Sequence, residues 1–253
     1  MRFIATVDSD AGIVKDINQD SVILKHAASS RGEALMAIVC DGMGGLDKGE
    51  LASKTVVMAF DEWFEKELPY ELEMPDLNVI AAKWTLMLKD LNKRISDYGE
   101  KVGVNLGTTF TGILFIEDEY ICLHVGDSRL YYLGGSIQQL TEDQTLVARE
   151  IAAGRLTDEE AKTDKRRSIL TQCIGASAEI EPQVIRAKTE RGVYLLCSDG
   201  FRHVITSDEI YENLAPVNLM NKKAMHGNAQ YLIDRIKALR ERDNISVVLI
   251  KAD

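Results

Sequence analysis

Apolar residues come in short bursts along this chain. Runs rich in Val, Ile, Leu and aromatic residues occupy positions 2–7, 21–26, 34–40, 108–116, 120–125, 129–133, 184–187, 192–197 and 245–251. Their length and β-branched content predict strands. Several are joined by tight polar connections, as at 117–119 and 126–128. Such connections suit antiparallel hairpins rather than crossovers.

Two longer stretches carry helical periodicity instead. Between 51 and 68, one face collects Ala52, Val56, Ala59, Phe60, Trp63 and Phe64. Between 76 and 98, the same spacing aligns Leu77, Ile80, Ala81, Trp84, Leu88, Leu91 and Ile95. Pro69 and Pro75 fall between the two, which predicts an antiparallel helix pair with both tryptophans in the core. A third long helix is expected over 228–240, through Leu232, Ile233, Ile236 and Leu239. The polar segment 142–178 is expected to be a mostly helical insert. In it Gly154 closes one short helix, and Thr157 with Glu160 opens another as a capping box. An insert leaving the strands there could act as a flap over a neighbouring site. No repeat or low-complexity linker interrupts the chain, so residues 1–253 are expected to form a single domain.

Composition narrows the partners. With 45% hydrophobic residues the chain can bury a sizeable core. Its formal net charge of −10 and lack of a basic stripe argue against nucleic acid or an anionic membrane. An anionic substrate stays open, because a bound metal ion reverses the local field of an acidic site. The four cysteines, Cys40, Cys122, Cys173 and Cys197, have no metal-binding spacing, and all but Cys173 sit inside apolar runs. Buried, reduced thiols are expected. The first residues lack a signal peptide's apolar stretch, and no run is long enough to span a bilayer. A cytoplasmic monomer is expected.

The candidate chemistry lies where acids meet the ends of the apolar runs. Asp41 and Asp199 directly follow such runs, whereas Asp20 and Asp243 directly precede them. In an antiparallel sheet the end of one strand lies beside the start of its neighbour, so these carboxylates can converge. Clustered carboxylates repel unless protons or cations join them, and hard divalent cations are the natural occupants. Asp41 opens the loop Asp41-Gly42-Met43-Gly44-Gly45, and Asp127 sits in Gly126-Asp127-Ser128-Arg129. Each alone could be a simple turn.

The ordered set is more specific. Asn18-Gln19-Asp20, the Asp41 loop, Gly107-Thr108-Thr109, the Asp127 segment, Ser198-Asp199-Gly200 and Asp243-Asn244-Ile245-Ser246-Val247-Val248 resemble, in order and spacing, the PP2C-type (PPM) protein phosphatases. The resemblance covers nearly the whole chain and implies an α+β fold: a sandwich of two antiparallel sheets flanked by antiparallel helix pairs. It implies an enzyme that hydrolyses phosphoserine and phosphothreonine in proteins, among them a protein kinase or its substrates. By the same resemblance the cofactors are two or three Mn²⁺ or Mg²⁺ ions. Asp41 would bridge two of them, the Gly42 carbonyl would bind the second, and Asp199 and Asp243 would hold the first. Asp20 would act through water, and Asp127 with Asp199 would form a weaker third site. A water bridging the metals would attack phosphorus directly, without a phosphoenzyme.

Three positions depart from the family pattern. Lys15 stands where the family usually has a phosphate-gripping arginine, Gln19 replaces an acid beside the second metal, and Met43 replaces a histidine found chiefly in eukaryotic members. Lysine cannot make arginine's planar two-point contact, which predicts a looser hold on phosphate. Gln19 predicts weaker occupancy at the second metal. His26, His124, His203 and His226 lie outside the motifs and are expected to be structural, with His203 nearest a motif. Two other classes compete: a binding module that keeps the fold without turnover, and a metal-dependent nuclease, which the acidic composition disfavours.

Overall fold

The computed structural model, which describes residues 1–29, 32–43 and 48–253, turns every apolar run read as a strand into one. Gly44 and Gly45 of the loop after Asp41 lie outside the described residues. Strands β1 (Phe3–Asp10), β2 (Ser21–Ser29) and β3 (Gly32–Cys40) precede helices α1 (Gly49–Lys66), α2 (Leu68–Glu71) and α3 (Leu77–Val102). Next come β4 (Phe110–Ile116), β5 (Glu119–Val125), β6 (Arg129–Leu133), β7 (Ile137–Gln139), α4 (Leu146–Ala152) and α5 (Asp158–Thr163). The chain continues with β8 (Gln183–Lys188), β9 (Gly192–Cys197), α6 (Asp199–Arg202), α7 (Ser207–Leu214), α8 (Lys222–Ala238) and β10 (Ile245–Ala252).

The strands form two five-stranded antiparallel sheets, ordered β1-β10-β9-β6-β7 and β2-β3-β4-β5-β8. Side-chain alternation explains why their sequences read as continuous apolar runs. On β3, Leu35, Ala37 and Val39 point into the layer between the sheets, while Met36, Ile38 and Cys40 point toward α1 and α3. On β9 and β10, Tyr194, Leu196, Val248 and Ile250 face the inter-sheet layer. Leu195, Cys197, Val247 and Leu249 join the opposite core with α7 and α8. Strands covered on both faces have no solvent side to mark with polar residues.

The helices use the stripes read from sequence. Ala52, Val56, Phe60, Trp63 and Phe64 are buried on α1, and Leu77 through Ile95 on α3. Trp84 makes edge contacts with Phe60 at 4.9 Å and Trp63 at 5.3 Å between ring centroids. Asp76 caps α3 by accepting from the Asn78 N–H at 2.8 Å, and Gly103, at φ 69°, closes it.

Several expectations shift. The third long helix starts earlier, at Lys222, because the Asn221 side chain caps it by accepting from the Ala224 N–H. It stops at Ala238, and Arg240 beyond it is in the left-handed region at φ 67°. The insert 142–178 is not mostly helical: among its described residues only α4 and α5 are helices, of 7 and 6 residues. Gly154 does follow the first, and the Thr157–Glu160 capping box opens the second. The rest is held as loop by cross-links such as Leu146 N–H to the Ile169 carbonyl and Thr171 N–H to the Gln144 carbonyl, each at 2.8 Å. All four cysteines are buried, and among the described residues no helix is long and apolar enough to cross a membrane.

Trp84 is fully buried, and its indole N–H has no hydrogen-bond partner. Trp84→Ala should therefore cost about 3–5 kcal/mol of stability through lost burial and cavity formation. Trp84→Phe should cost much less, because it removes an unpaired N–H along with the lost ring. Urea denaturation followed by circular dichroism checks both.

Candidate active site

Sheet register brings the aspartates together. Ser21, the first residue of β2, pairs with Cys40, the last of β3, so Asp20 and Asp41 flank one end of that ladder. In the other sheet Cys197 pairs with Val247, and the Ser198 N–H donates to the Ser246 carbonyl at 3.1 Å. This sets Asp199 beside the Asp243-Asn244 segment. The approach is close enough that a Cβ on Gly200 would lie 2.1 Å from the Asn244 carbonyl oxygen. Gly42 is likewise confined: a Cβ there would lie 2.4 Å from the Gln19 carbonyl oxygen and 2.6 Å from that of Gly49. The glycines adjacent to Asp41 and Asp199 thus serve backbone contact, beyond any turn they make.

Polar side chains join the two sheets at this end. The Asn244 amide oxygen accepts from the Gln19 N–H at 2.9 Å, and its NH₂ donates to the Ala11 carbonyl at 2.9 Å. Asn18 accepts from the Asp20 N–H and donates to Ser9. The Gly107-Thr108-Thr109 motif grips Asp41 by its backbone. The Thr109 hydroxyl accepts from the Asp41 N–H, and the Thr109 N–H and Thr108 hydroxyl donate to the Asp41 carbonyl, all at 2.9 Å. The Thr109 hydroxyl also meets that of Ser128 at 2.8 Å, next to Asp127.

The electrostatics match a gathering of like charges. Burial, then the nearby Asp20, Asp199, Asp127 and Asp243, push the Asp41 carboxyl well above the ordinary carboxylate range. Burial also raises Asp20 to about 7. The nearby Ser198 and Ser246 hydroxyls oppose that rise, and Asp199 and Asp243 add to it. Asp127 rises to about 7 through burial and Asp199, with Arg202 opposing. Within this set of aspartates, Oδ2 of Asp20 and Oδ1 of Asp199 are buried without a hydrogen-bond partner.

A cation fits this donor set. It would meet oxygen ligands only, giving Asp199 Oδ1 the positive partner it lacks and Asp20 Oδ2 a cation-bound water to accept from. Among the described residues, no three Asp, Glu, His or Cys side chains are grouped so that they alone could hold a metal ion. An open set suits a cation such as Mg²⁺, which keeps several waters and takes few carboxylates.

The departing residues lie at the same end. The Lys15 ammonium is 3.4 Å from Asp243 Oδ1, and the Asp243 side chain is 40% exposed. The Gln19 amide donates to Glu50 at 3.5 Å, and the Met43 N–H to the Gly107 carbonyl at 3.0 Å. His124 is buried between the Thr111 hydroxyl and the Glu142 carbonyl, and burial pulls it down to about 4, a structural role. His203 is closer to the chemistry than its place outside the motifs suggested. Its ring stands 3.3 Å from Asp199 Oδ2 and 3.6 Å from Glu241 Oε2. Burial lowers its pKa, but Glu241 and Asp199 outweigh burial and the net shift is upward.

The sequence did not single out Glu241, Asp143 or Arg202. Glu241 accepts from the N–H groups of Arg242 and Asp243 at 2.7 and 3.0 Å, so it holds the backbone of one acid while pairing the histidine of another. Arg202 and Asp143 line a cavity of about 930 Å³ beside Asp127, whose other wall includes Val147 and Ile151 of α4.

Comparison with known proteins agrees with this geometry. The sequence profile described as Protein phosphatase 2C matches residues 13–241. The protein phosphatase PhpP of Streptococcus pneumoniae is 33% identical over 206 residues, covering 80% of each chain. The serine/threonine phosphatase stp of Listeria monocytogenes is 28% identical, covering 97% of this chain and 94% of its own. The S. agalactiae serine/threonine phosphatase superposes with a TM-score of 0.86 at 27% identity, covering all of both chains. The catalytic domain of the serine/threonine protein phosphatase PstP, solved in complex with two manganese ions, has a TM-score of 0.78 at 30% identity, covering 98% of this chain and 97% of its own. None of these relatives supports a binding module without turnover. The chain belongs to the protein phosphatase 2C family and is a serine/threonine protein phosphatase, of a family that uses divalent metal ions.

Proposed function

We propose that Asp41, Asp199 and Asp243 hold two divalent cations, Mn²⁺ or Mg²⁺, with the Gly42 carbonyl as a further ligand and Asp20 acting through water. The carrying observation is the pair of buried, unpartnered oxygens, Asp20 Oδ2 and Asp199 Oδ1, within a set of mutually repelling carboxylates. Asp127 stands apart, since its carboxylate already faces a guanidinium. When bound, the ions supply positive charge that acidifies water and offsets charge building on the phosphoryl oxygens.

The chain's own residues do the positioning. Asp20, its backbone held by Asn18 and its carboxyl beside the Ser198 and Ser246 hydroxyls, presents Oδ2 to orient the attacking water. Lys15 grips the substrate phosphate as a point charge. No cysteine competes as nucleophile, because burial raises every thiol, Cys197 to about 12 and Cys40 well above its ordinary value. The cavity beside Asp127 would take residues flanking the phosphorylated one, making 142–178 a flap that touches substrate. We read residues 1–253 as one catalytic domain, working as a cytoplasmic monomer on phosphorylated proteins that include a protein kinase or its substrates.

Hydrolysis of p-nitrophenyl phosphate should require Mn²⁺ or Mg²⁺ and fall at least about 100-fold in Asp41→Asn and Asp199→Asn, since loss of mere supporting partners costs about 10–100-fold. Mn²⁺ at a hundred times its Kd should stabilise the wild type by about 2.7 kcal/mol and Asp41→Asn by far less. No turnover with ample metal would instead favour a binding module.

Lys15→Arg should lower KM with little change in kcat, and steady-state kinetics showing an equal or higher KM would refute the phosphate role of Lys15. Gln19→Glu, which sets a second acid beside Glu50, should tighten Mn²⁺ binding in a calorimetric titration.

A further inference from the structure

We infer that Arg202 is the resident cation at Asp127, so that this phosphatase works with two divalent ions and fills the third position with its own guanidinium. The inference rests on the metal centre proposed above and concerns the site expected at Asp127 and Asp199.

The Arg202 Nη2 lies 3.6 Å from Asp127 Oδ2, and both side chains are largely shielded, 13% and 11% exposed. Arg202 is not held there by that carboxylate alone. The same Nη2 donates to the Asp127 backbone carbonyl at 2.9 Å and lies 3.6 Å from Asp143 Oδ2. Asp143 is itself clamped by Arg129, whose Nε and Nη2 donate to its two oxygens at 2.7 and 2.6 Å. Arg129–Asp143–Arg202–Asp127 is therefore a chain of alternating charges, its last cation fixed by backbone and by a braced acid.

The other half of the expected third site is also engaged. Asp199 Oδ2 faces the His203 ring at 3.3 Å, and that ring is braced from behind by Glu241 at 3.6 Å. Only Oδ1 of Asp199 is left buried and unpartnered, and it is the oxygen proposed above for the centre with Asp41. The acids thus divide. One set keeps a bare oxygen for metal, whereas Asp127 has a permanent counter-charge that cannot dissociate, since a guanidinium stays protonated. A divalent ion entering beside Asp127 would meet this fixed positive charge and would have to displace it.

Equilibrium dialysis against millimolar Mn²⁺ at fixed ionic strength, with elemental analysis of bound metal, tests this. Wild type and Asp127→Asn should both retain two ions per chain. Arg202→Ala should gain a third, and the double variant Arg202→Ala/Asp127→Asn should lose it again. Three ions in the wild type falling to two in Asp127→Asn would overturn the inference and leave the two-metal centre standing. A folded Arg202→Ala that gains no ion would also overturn it. Should Arg202→Ala not fold, the comparison of wild type with Asp127→Asn still decides. Wild type that binds no Mn²⁺ would overturn the metal-centre reading itself, and this inference with it.

Discussion

Like-charge repulsion among gathered carboxylates is the constraint on which the rest of this molecule depends. Asp41 feels Asp20, Asp127, Asp199 and Asp243, yet these acids come from opposite ends of strands in two different sheets. Holding them together takes rigid parts. Register fixes Asp20 beside Asp41, the close contact of Gly200 with Asn244 fixes Asp199 beside Asp243, and Asn244 ties the sheets to each other. The apolar layers serve the same end, because a sandwich packed on both sides of each central strand cannot let one strand end drift to relieve the repulsion.

The molecule relieves that repulsion in two different ways. Toward Asp41 it leaves buried oxygens bare, a state that favours an exchangeable cation. Toward Asp127 it supplies Arg202, braced by Asp143 and Arg129. The second way costs adaptability, since a side chain cannot leave and return as an ion does. In exchange, the start of the insert is joined to the catalytic end of the sandwich through Asp143, and the cavity between them has a charged and fixed wall.

Much of this was legible in the sequence, for identifiable reasons. Strands buried on both faces announce themselves as unbroken apolar runs, and the stripe from Leu77 to Ile95 leaves one arrangement for α3. β7 was not legible, because its Ile-Gln-Gln is short, polar and at a sheet edge. α7 escaped because only Ile210 and Leu214 are buried on it. The aspartates could be read from their position at strand boundaries. Arg202, Asp143 and Glu241 could not: a charged residue acquires its meaning from its partner, and Arg202 lies 75 positions from the carbonyl it binds. The insert read as helical because its composition is; its loops are made by distant backbone pairs that no local pattern records.

The place of β10 has a consequence for how the enzyme comes into being. It pairs along its length with β1 on one side and β9 on the other, and Phe3 is matched with Ala252. A chain emerging from a ribosome would hold its first strand unpartnered until residues beyond 243 had been made, and Asp243 arrives with that same segment. Contacts of such sequence separation form slowly. Closure of this sheet and the arrival of Asp243 beside Asp199 are therefore one late event in folding.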